Sequence, residues 1–260
     1  MMRIAALQMQ SAGGDVAANI ARIAKAATEA AEAGAKLLIT PELCITGYGG
    51  AEAIPPLAEP ADGAIVAQLG EIAQANGLAI VAGFAERDGD TVYNSAVFTD
   101  GRSPPSVYRK SNLYGDYEHS LFTPEQPATC LVRFGGITFG MLICYDVEFP
   151  ENVRRLAVAG ADMVLVPTAL PRGASGSFIA GKMIQVRAFE NQVFVAYINH
   201  TGQDERFGFA GLSRIAAPDG SLLAEAPEAG EVLLVADIRP EDFRVSKSEN
   251  TYLKDMQPGA

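Results

Sequence analysis

The residues best suited to chemistry are a cysteine, a lysine and a glutamate, each set against an apolar run. Cys144 follows Ile137 to Ile143, and Pro150 stands shortly after it. The run reads as a buried strand, and proline's fixed φ and missing N–H suit the first turn of a helix. A cysteine at such a strand-to-helix turn is held rigidly on one side and exposed on the other. The backbone N–H groups just beyond it can face a developing negative charge. A packed strand cysteine is the competing reading.

Glu42 ends the stretch Lys36 to Glu42, where Pro41 cuts strand pairing. Lys110 ends the strand-like stretch Val107 to Lys110. Singly, these are an ordinary loop acid and a surface lysine. With the thiol they form a workable nucleophilic site. A base takes the thiol proton and a nearby cation lowers its pKa, while a cation or N–H donors hold the oxyanion made by attack on an amide carbonyl. That division of labour needs no histidine, which suits a chain holding only His119 and His200.

The elements that must position these groups alternate in type. Strands are expected over Arg3 to Gln10, Lys36 to Glu42, Leu78 to Phe84, Val92 to Thr99 and Val107 to Lys110. Further strands are expected over Leu131 to Phe134, Ile137 to Ile143, Met163 to Pro167, Val193 to Asn199, Gly208 to Ala217 and Glu231 to Asp237, the last two joined through the turn Pro218-Asp-Gly220. Helices are expected over Asp15 to Ala33, closed by Gly34, and over Ala64 to Asn76, Glu151 to Ala159 and Phe178 to Asn191. Ser111 to Pro127 reads as a loop. No repeat or linker divides the chain, so residues 1–260 are expected to form one α/β domain with helices over both outer faces. Residues 243–260 form a tail without a clear core face, either loose or packed across a partner subunit.

The chain has 260 residues, 48% of them hydrophobic, with 31 acidic against 20 basic side chains and a formal charge of −11. That balance speaks against nucleic acid and anionic membrane surfaces, which require basic patches. Cys44, Cys130 and Cys144 make no disulfide framework and no C-x-x-C pair. A zinc site is not expected from two distant histidines. The opening Met1-Met-Arg-Ile-Ala-Ala-Leu-Gln8 reads as a strand rather than a signal peptide, and no apolar stretch reaches membrane-spanning length, so a reduced cytoplasm is the expected compartment.

The order Glu42, Lys110, Cys144, in the settings Pro-Glu, Tyr-Arg-Lys and Cys-Tyr-Asp, resembles the nitrilase superfamily of carbon–nitrogen hydrolases. The likeness also runs through Pro41 to Tyr48, Gly83 to Glu86, Tyr93 to Ser95, Leu142 to Glu151, Arg187 to Asn191 and Gly208 to Gly211. It implies a four-layer αββα sandwich whose subunits form a homodimer or larger homo-oligomer, working without a cofactor. It further implies Glu42 as general base, Lys110 as oxyanion cation, Cys144 as nucleophile and the Tyr145 N–H as second oxyanion donor. Glu118, in Glu118-His-Ser-Leu-Phe122, matches a further glutamate usual after the lysine, which implies it as a fourth catalytic residue. Thr123-Pro-Glu125 departs from the glycine usual there, which implies a changed turn.

Members that act on nitriles commonly carry Cys-Trp-Glu, whereas Cys-Tyr-Asp is more usual among amidases. Members that grip a substrate carboxylate resemble one another in an arginine four residues past the cysteine, where this chain has Glu148. An acid there repels anions and attracts an ammonium group. The stretch Cys144 to Asn152 is most similar to aliphatic amidases acting on amino-substituted amides. Asp116 and Glu118 would add negative potential, and Tyr48, Tyr114 and Tyr117 would wall the pocket. Glu148 also reads as an acid favoured by a helix N-terminus.

The alternatives within the family are hydrolysis of N-carbamoyl amines, ω-amides, deaminated glutathione or nitriles. A cysteine–histidine hydrolase built on His200 leaves Glu42 and Lys110 unexplained. No G-x-S-x-G or strand-linked G-x-G-x-x-G supports a serine hydrolase or a dinucleotide enzyme. A non-catalytic binding protein of the same fold is opposed by the presence of every residue type the chemistry needs.

Overall fold

The structure, a computed structural model, describes residues 1–256. Its first half runs β1 (Met2–Gln8), α1 (Val16–Glu32), β2 (Leu37–Ile39), α2 (Ala64–Asn76), β3 (Ala79–Asp88), β4 (Thr91–Thr99), β5 (Ser106–Arg109) and α3 (Gly115–Leu121). The second half runs β6 (Leu131–Phe134), β7 (Ile137–Met141), α4 (Pro150–Val158), β8 (Met163–Thr168), α5 (Ala174–Phe178), α6 (Ile184–Asn191), β9 (Phe194–Asn199), β10 (Arg214–Ala216), β11 (Leu222–Glu225) and β12 (Val232–Ile238). Two short helices, α7 (Arg244–Glu249) and α8 (Tyr252–Asp255), follow.

The strands form two sheets, ordered β12-β1-β2-β3-β4-β5 and β11-β10-β9-β8-β7-β6. Each has three central parallel strands, β1-β2-β3 and β7-β8-β9, flanked by antiparallel ones. Strand alternation assigns the faces. Ile4 and Ala6 of β1 turn into a core shared with Met141 and Val166 of the other sheet. Ala5 and Leu7 turn outward onto Ile20, Ile23 and Ala27 of α1 and Leu69 of α2. Leu156 of α4 and Ala188 of α6 join the core on the second sheet. The result is the four-layer αββα sandwich that the resemblance implies.

Local sequence explains the helix ends. The Asp15 side chain caps α1 by accepting from the Ala18 N–H, and Gly77 closes α2 with a left-handed φ of 64°. Pro150 opens α4, as expected from the sequence.

Four readings change. The 111–127 loop contains α3. The helix expected from Phe178 begins at Ala174 and passes through a π-helical turn, Ile179–Met183. The long strand expected over Gly208 to Ala217 shrinks to β10, because Gly211 and Leu212 take φ of 62° and 55° and no ladder continues through them. The Pro218-Asp-Gly220 turn then leads into β11, a strand of partly buried residues, before β12.

The tail gains a core side. Phe243 stands edge-on to Phe194 at 5.2 Å, and Tyr252 meets Phe189 at 5.9 Å. Residues 257–260 of that tail lie outside the described residues. Among the described residues, no helix is long and apolar enough to cross a membrane.

Candidate active site

The strand ends of both sheets carry the reactive groups to one place. β2 stops at Ile39, and the chain turns through Pro41 to present Glu42, which is fully buried. Gly83 of β3 makes that turn possible: a Cβ there would stand 2.6 Å from the Glu42 Cα and 2.3 Å from the Leu43 nitrogen. β5 ends just before Lys110, whose backbone N–H still donates to the Asn94 carbonyl at 2.8 Å. α3 supplies Glu118, the buried residue of that short helix.

These three side chains form one buried ion cluster. Lys110 Nζ donates to Glu42 Oε1 at 2.6 Å and to Glu118 Oε1 at 2.7 Å. An ammonium has three N–H donors, so one remains for a further acceptor. Asn94 Nδ2 also donates to Glu42 Oε1, at 2.7 Å, while Glu42 Oε2 is buried with no partner. Glu118 is saturated by contrast: Oε1 accepts from the Tyr48 hydroxyl at 2.8 Å and Oε2 from the Tyr114 N–H at 2.8 Å.

One ammonium cannot neutralise two buried carboxylates. Burial raises the Glu42 carboxyl and Lys110 opposes it, but Glu118 adds to the rise, and the balance stands at about 7. Burial acts to lower the Lys110 ammonium, yet Glu118 and Glu42 together hold it well above its ordinary value. Lys110 is therefore the fixed charge, and Glu42 is the group poised to exchange a proton near neutrality.

Cys144 begins a 3-10 turn, Cys144–Glu148, with φ of 44°, a strained value for a side-chain-bearing residue. It is 6% exposed and opens on a cavity of about 480 Å³. The nearby cation was expected to lower its pKa. Burial and the Glu42 carboxylate instead push the thiol well above its ordinary value, outweighing Lys110. The resting group is a thiol, and its proton must leave during reaction. The Tyr145 N–H lies in the first turn, where N–H groups have no acceptor within the helix.

The cavity is walled by Tyr48, Tyr114 and Tyr145, with Glu148 on one side and the Pro171–Gly176 segment on another. Glu148 is half-buried, and burial raises its carboxyl, with Lys110 and Arg187 opposing. Among the described residues its carboxylate has no hydrogen-bond or ion-pair partner; Arg187 instead donates to the Val147 and Glu148 carbonyls at 2.8 and 2.6 Å. Tyr117 and Asp116 fall outside the wall. The Tyr117 hydroxyl donates to the Tyr48 carbonyl at 2.5 Å, so it backs the wall rather than facing the cavity. Asp116 is exposed in the first turn of α3.

Sequence reading missed three supporting residues. Asn94 holds Glu42; its signal is an amide in the middle of a β-branched and aromatic strand. Asp146 gathers four donors around the Cys144 turn, and only its place two residues past the cysteine hints at this. His200 reaches the backbone of Glu42, a long-range contact with no local signal.

Comparison with known proteins gives one consistent result. Residues 3–247 match the model of the carbon-nitrogen hydrolase family. A Pseudomonas protegens protein described as the hydrolase in the pqqF 5' region is 42% identical, over 99% of this chain and 90% of its own. An (R)-stereoselective amidase from Pseudomonas sp. is 33% identical over 98% of this chain and 92% of its own. The solved structure of a cysteine-to-alanine mutant of the Nesterenkonia AN1 amidase, of the nitrilase superfamily, superposes with a TM-score of 0.88 at 34% identity, covering 98% of this chain and 94% of that one. By sequence and by fold, this chain belongs to the carbon–nitrogen hydrolase family.

Proposed function

We propose that this carbon–nitrogen hydrolase is an amidase that converts a small aliphatic, amino-substituted carboxamide to the acid and ammonia through a Cys144 thioester. The observation that carries the chemistry is the unpartnered, buried Oε2 of Glu42, on a carboxyl held near 7 in the cluster that also raises the Cys144 thiol.

Glu42 takes the Cys144 proton as sulfur attacks the amide carbon. The free donor of Lys110 and the Tyr145 N–H hold the oxyanion. When the carbon–nitrogen bond breaks, the proton on Glu42 passes to the leaving nitrogen and ammonia departs. Water then attacks the thioester, Glu42 accepts its proton, and that proton returns to sulfur as the acid leaves. Glu118, with both oxygens engaged by its three partners, fixes Lys110 and Tyr48 rather than cycling a proton.

The substrate class rests on Glu148. A half-buried carboxylate without a partner, beside tyrosine faces, suits a substrate ammonium group, since both the charge and the aromatic rings attract a cation. The (R)-stereoselective amidase and the Nesterenkonia amidase act in the same direction as support for the amide reading. Ammonia release from amino-amides, neutral aliphatic amides, ω-amides of keto acids, N-carbamoyl amines and nitriles at one fixed concentration tests it. Preference for amino-amides is the expected result. Preference for carboxylate-bearing amides would discard the pocket reading while keeping the Glu42–Lys110–Cys144 chemistry. Preference for nitriles or N-carbamoyl amines would discard the amidase assignment.

A further inference from the structure

His200 follows β9 in the second sheet, yet its ring touches the turn that carries Glu42 in the first. The residue is 1% exposed, and Nε2 donates to the Glu42 carbonyl oxygen at 2.7 Å. A carbonyl only accepts, so the ring nitrogen facing it carries the proton. Phe209 lies against the imidazole at 5.0 Å, and Phe209 in turn stands edge-on to Tyr48, whose hydroxyl holds Glu118. A bridge between Met9 and His200, with the Thr201 N–H on the Met9 carbonyl at 3.0 Å, ties the two sheets together at this level.

The contacted carbonyl belongs to the peptide unit linking Glu42 to Leu43. Leu43 has a φ of 47°, the left-handed region, which a branched side chain adopts only under strain. That peptide also packs closely on Gly83, which has no room for a Cβ. The strained turn thus meets both a glycine backbone and an imidazole N–H. Without the donor, the buried Glu42 carbonyl has an unmet acceptor and its peptide is freer to rotate toward an unstrained φ. Such a rotation would carry the Glu42 side chain with it.

We propose that His200 is a positioning residue, which locks the Glu42–Leu43 peptide and thereby holds the Glu42 carboxylate where it meets the thiol and the leaving nitrogen. It touches neither substrate nor the reacting atoms. Burial lowers the imidazole pKa, opposed by the Glu42 and Met9 backbone and by Asp204. The inference rests on the reading of Glu42 as the base.

The test compares three variants of the full chain, each checked for fold by circular dichroism and thermal melting. His200→Phe keeps the ring and its Phe209 contact but removes the donor. His200→Gln restores an amide N–H at similar reach. Glu42→Gln reports on the base itself. Displacing a catalytic group by about 1 Å costs on the order of 100-fold, so His200→Phe is expected to lower kcat about 10- to 100-fold with KM changed less than about 3-fold. His200→Gln is expected to recover kcat to within about 5-fold of the parent. Full kcat in His200→Phe, or an equal loss in a folded His200→Gln, overturns the positioning role. Should His200→Phe fail to fold, His200→Gln decides alone by the same thresholds. Retained turnover in Glu42→Gln would sink the base assignment itself, a failure separate from that of His200.

Discussion

The Tyr108 hydroxyl donates to Asp146 Oδ2 at 2.9 Å, which ties the strand leading to Lys110 to the turn that begins at Cys144. Asp146 Oδ2 also accepts the Ile143 N–H at 3.2 Å, and Oδ1 accepts from the Ser111 hydroxyl at 3.0 Å and the Asn112 N–H at 2.8 Å. One buried carboxylate therefore joins the segment of Lys110 to the turn of Cys144. Tyr108→Phe removes a single donor and little volume. We expect a loss of about 1–2 kcal/mol, read as a melting temperature lower by roughly 2–8 °C, with kcat reduced several-fold and KM steady. A lower melting temperature with kcat intact would reduce the contact to a structural one.

Glu42 links activity and stability to pH with opposite signs. Its carboxyl is raised from 4.5 to about 7, so kcat/KM should fall about tenfold per pH unit below that point, as the base becomes protonated. For stability, a folded pKa above the unfolded one favours the protonated form. The contribution is fully present below about 4.5 and is lost as pH rises through about 7. Glu42→Gln should abolish turnover and also flatten the melting temperature against pH across that window. An unchanged slope would show that Glu42 is not the titrating group.

Cys144→Ala replaces a buried thiol with a methyl at a φ of 44° that either side chain tolerates equally badly. The fold should survive with a melting temperature within a few degrees of the parent, while ammonia release disappears. Persisting release would overturn the thioester route. Cys44 and Cys130 offer no substitute nucleophile. Burial pushes each to about 11, and Cys44 is engaged with Thr40 at 3.1 Å.

What was legible in the sequence was whatever depends on neighbours along the chain. Apolar runs, Gly34, Pro41 and Pro150 mark strand and helix ends because proline and glycine act on their own backbone. The positions of Glu42, Lys110 and Cys144 followed from those ends. α3 was hidden because its seven residues show no apolar period; Glu118 is drawn inward by Lys110 from another element. The pKa direction of Cys144 was misjudged for a related reason. Proximity to a lysine was readable, but burial beside two carboxylates was not. Asp116 and Tyr117 share the segment of Glu118, yet a helical turn sends only one of the three into the cluster.

The proposed choice of substrate turns on Glu148. Its carboxyl is raised by burial, a desolvation cost that an ammonium group beside it would offset. Glu148→Gln keeps the shape and removes the charge. A charge-assisted hydrogen bond is worth about 1.5–3 kcal/mol, so KM for amino-amides should rise roughly 10- to 100-fold, while propionamide changes less than about 3-fold. The Arg187 contacts to the Val147 and Glu148 carbonyls hold the turn without using the carboxylate, so the substitution should leave the melting temperature nearly unchanged. Equal losses on charged and neutral amides would mean that Glu148 shapes the Cys144 turn, as an acid ahead of α4 can, rather than selecting the substrate.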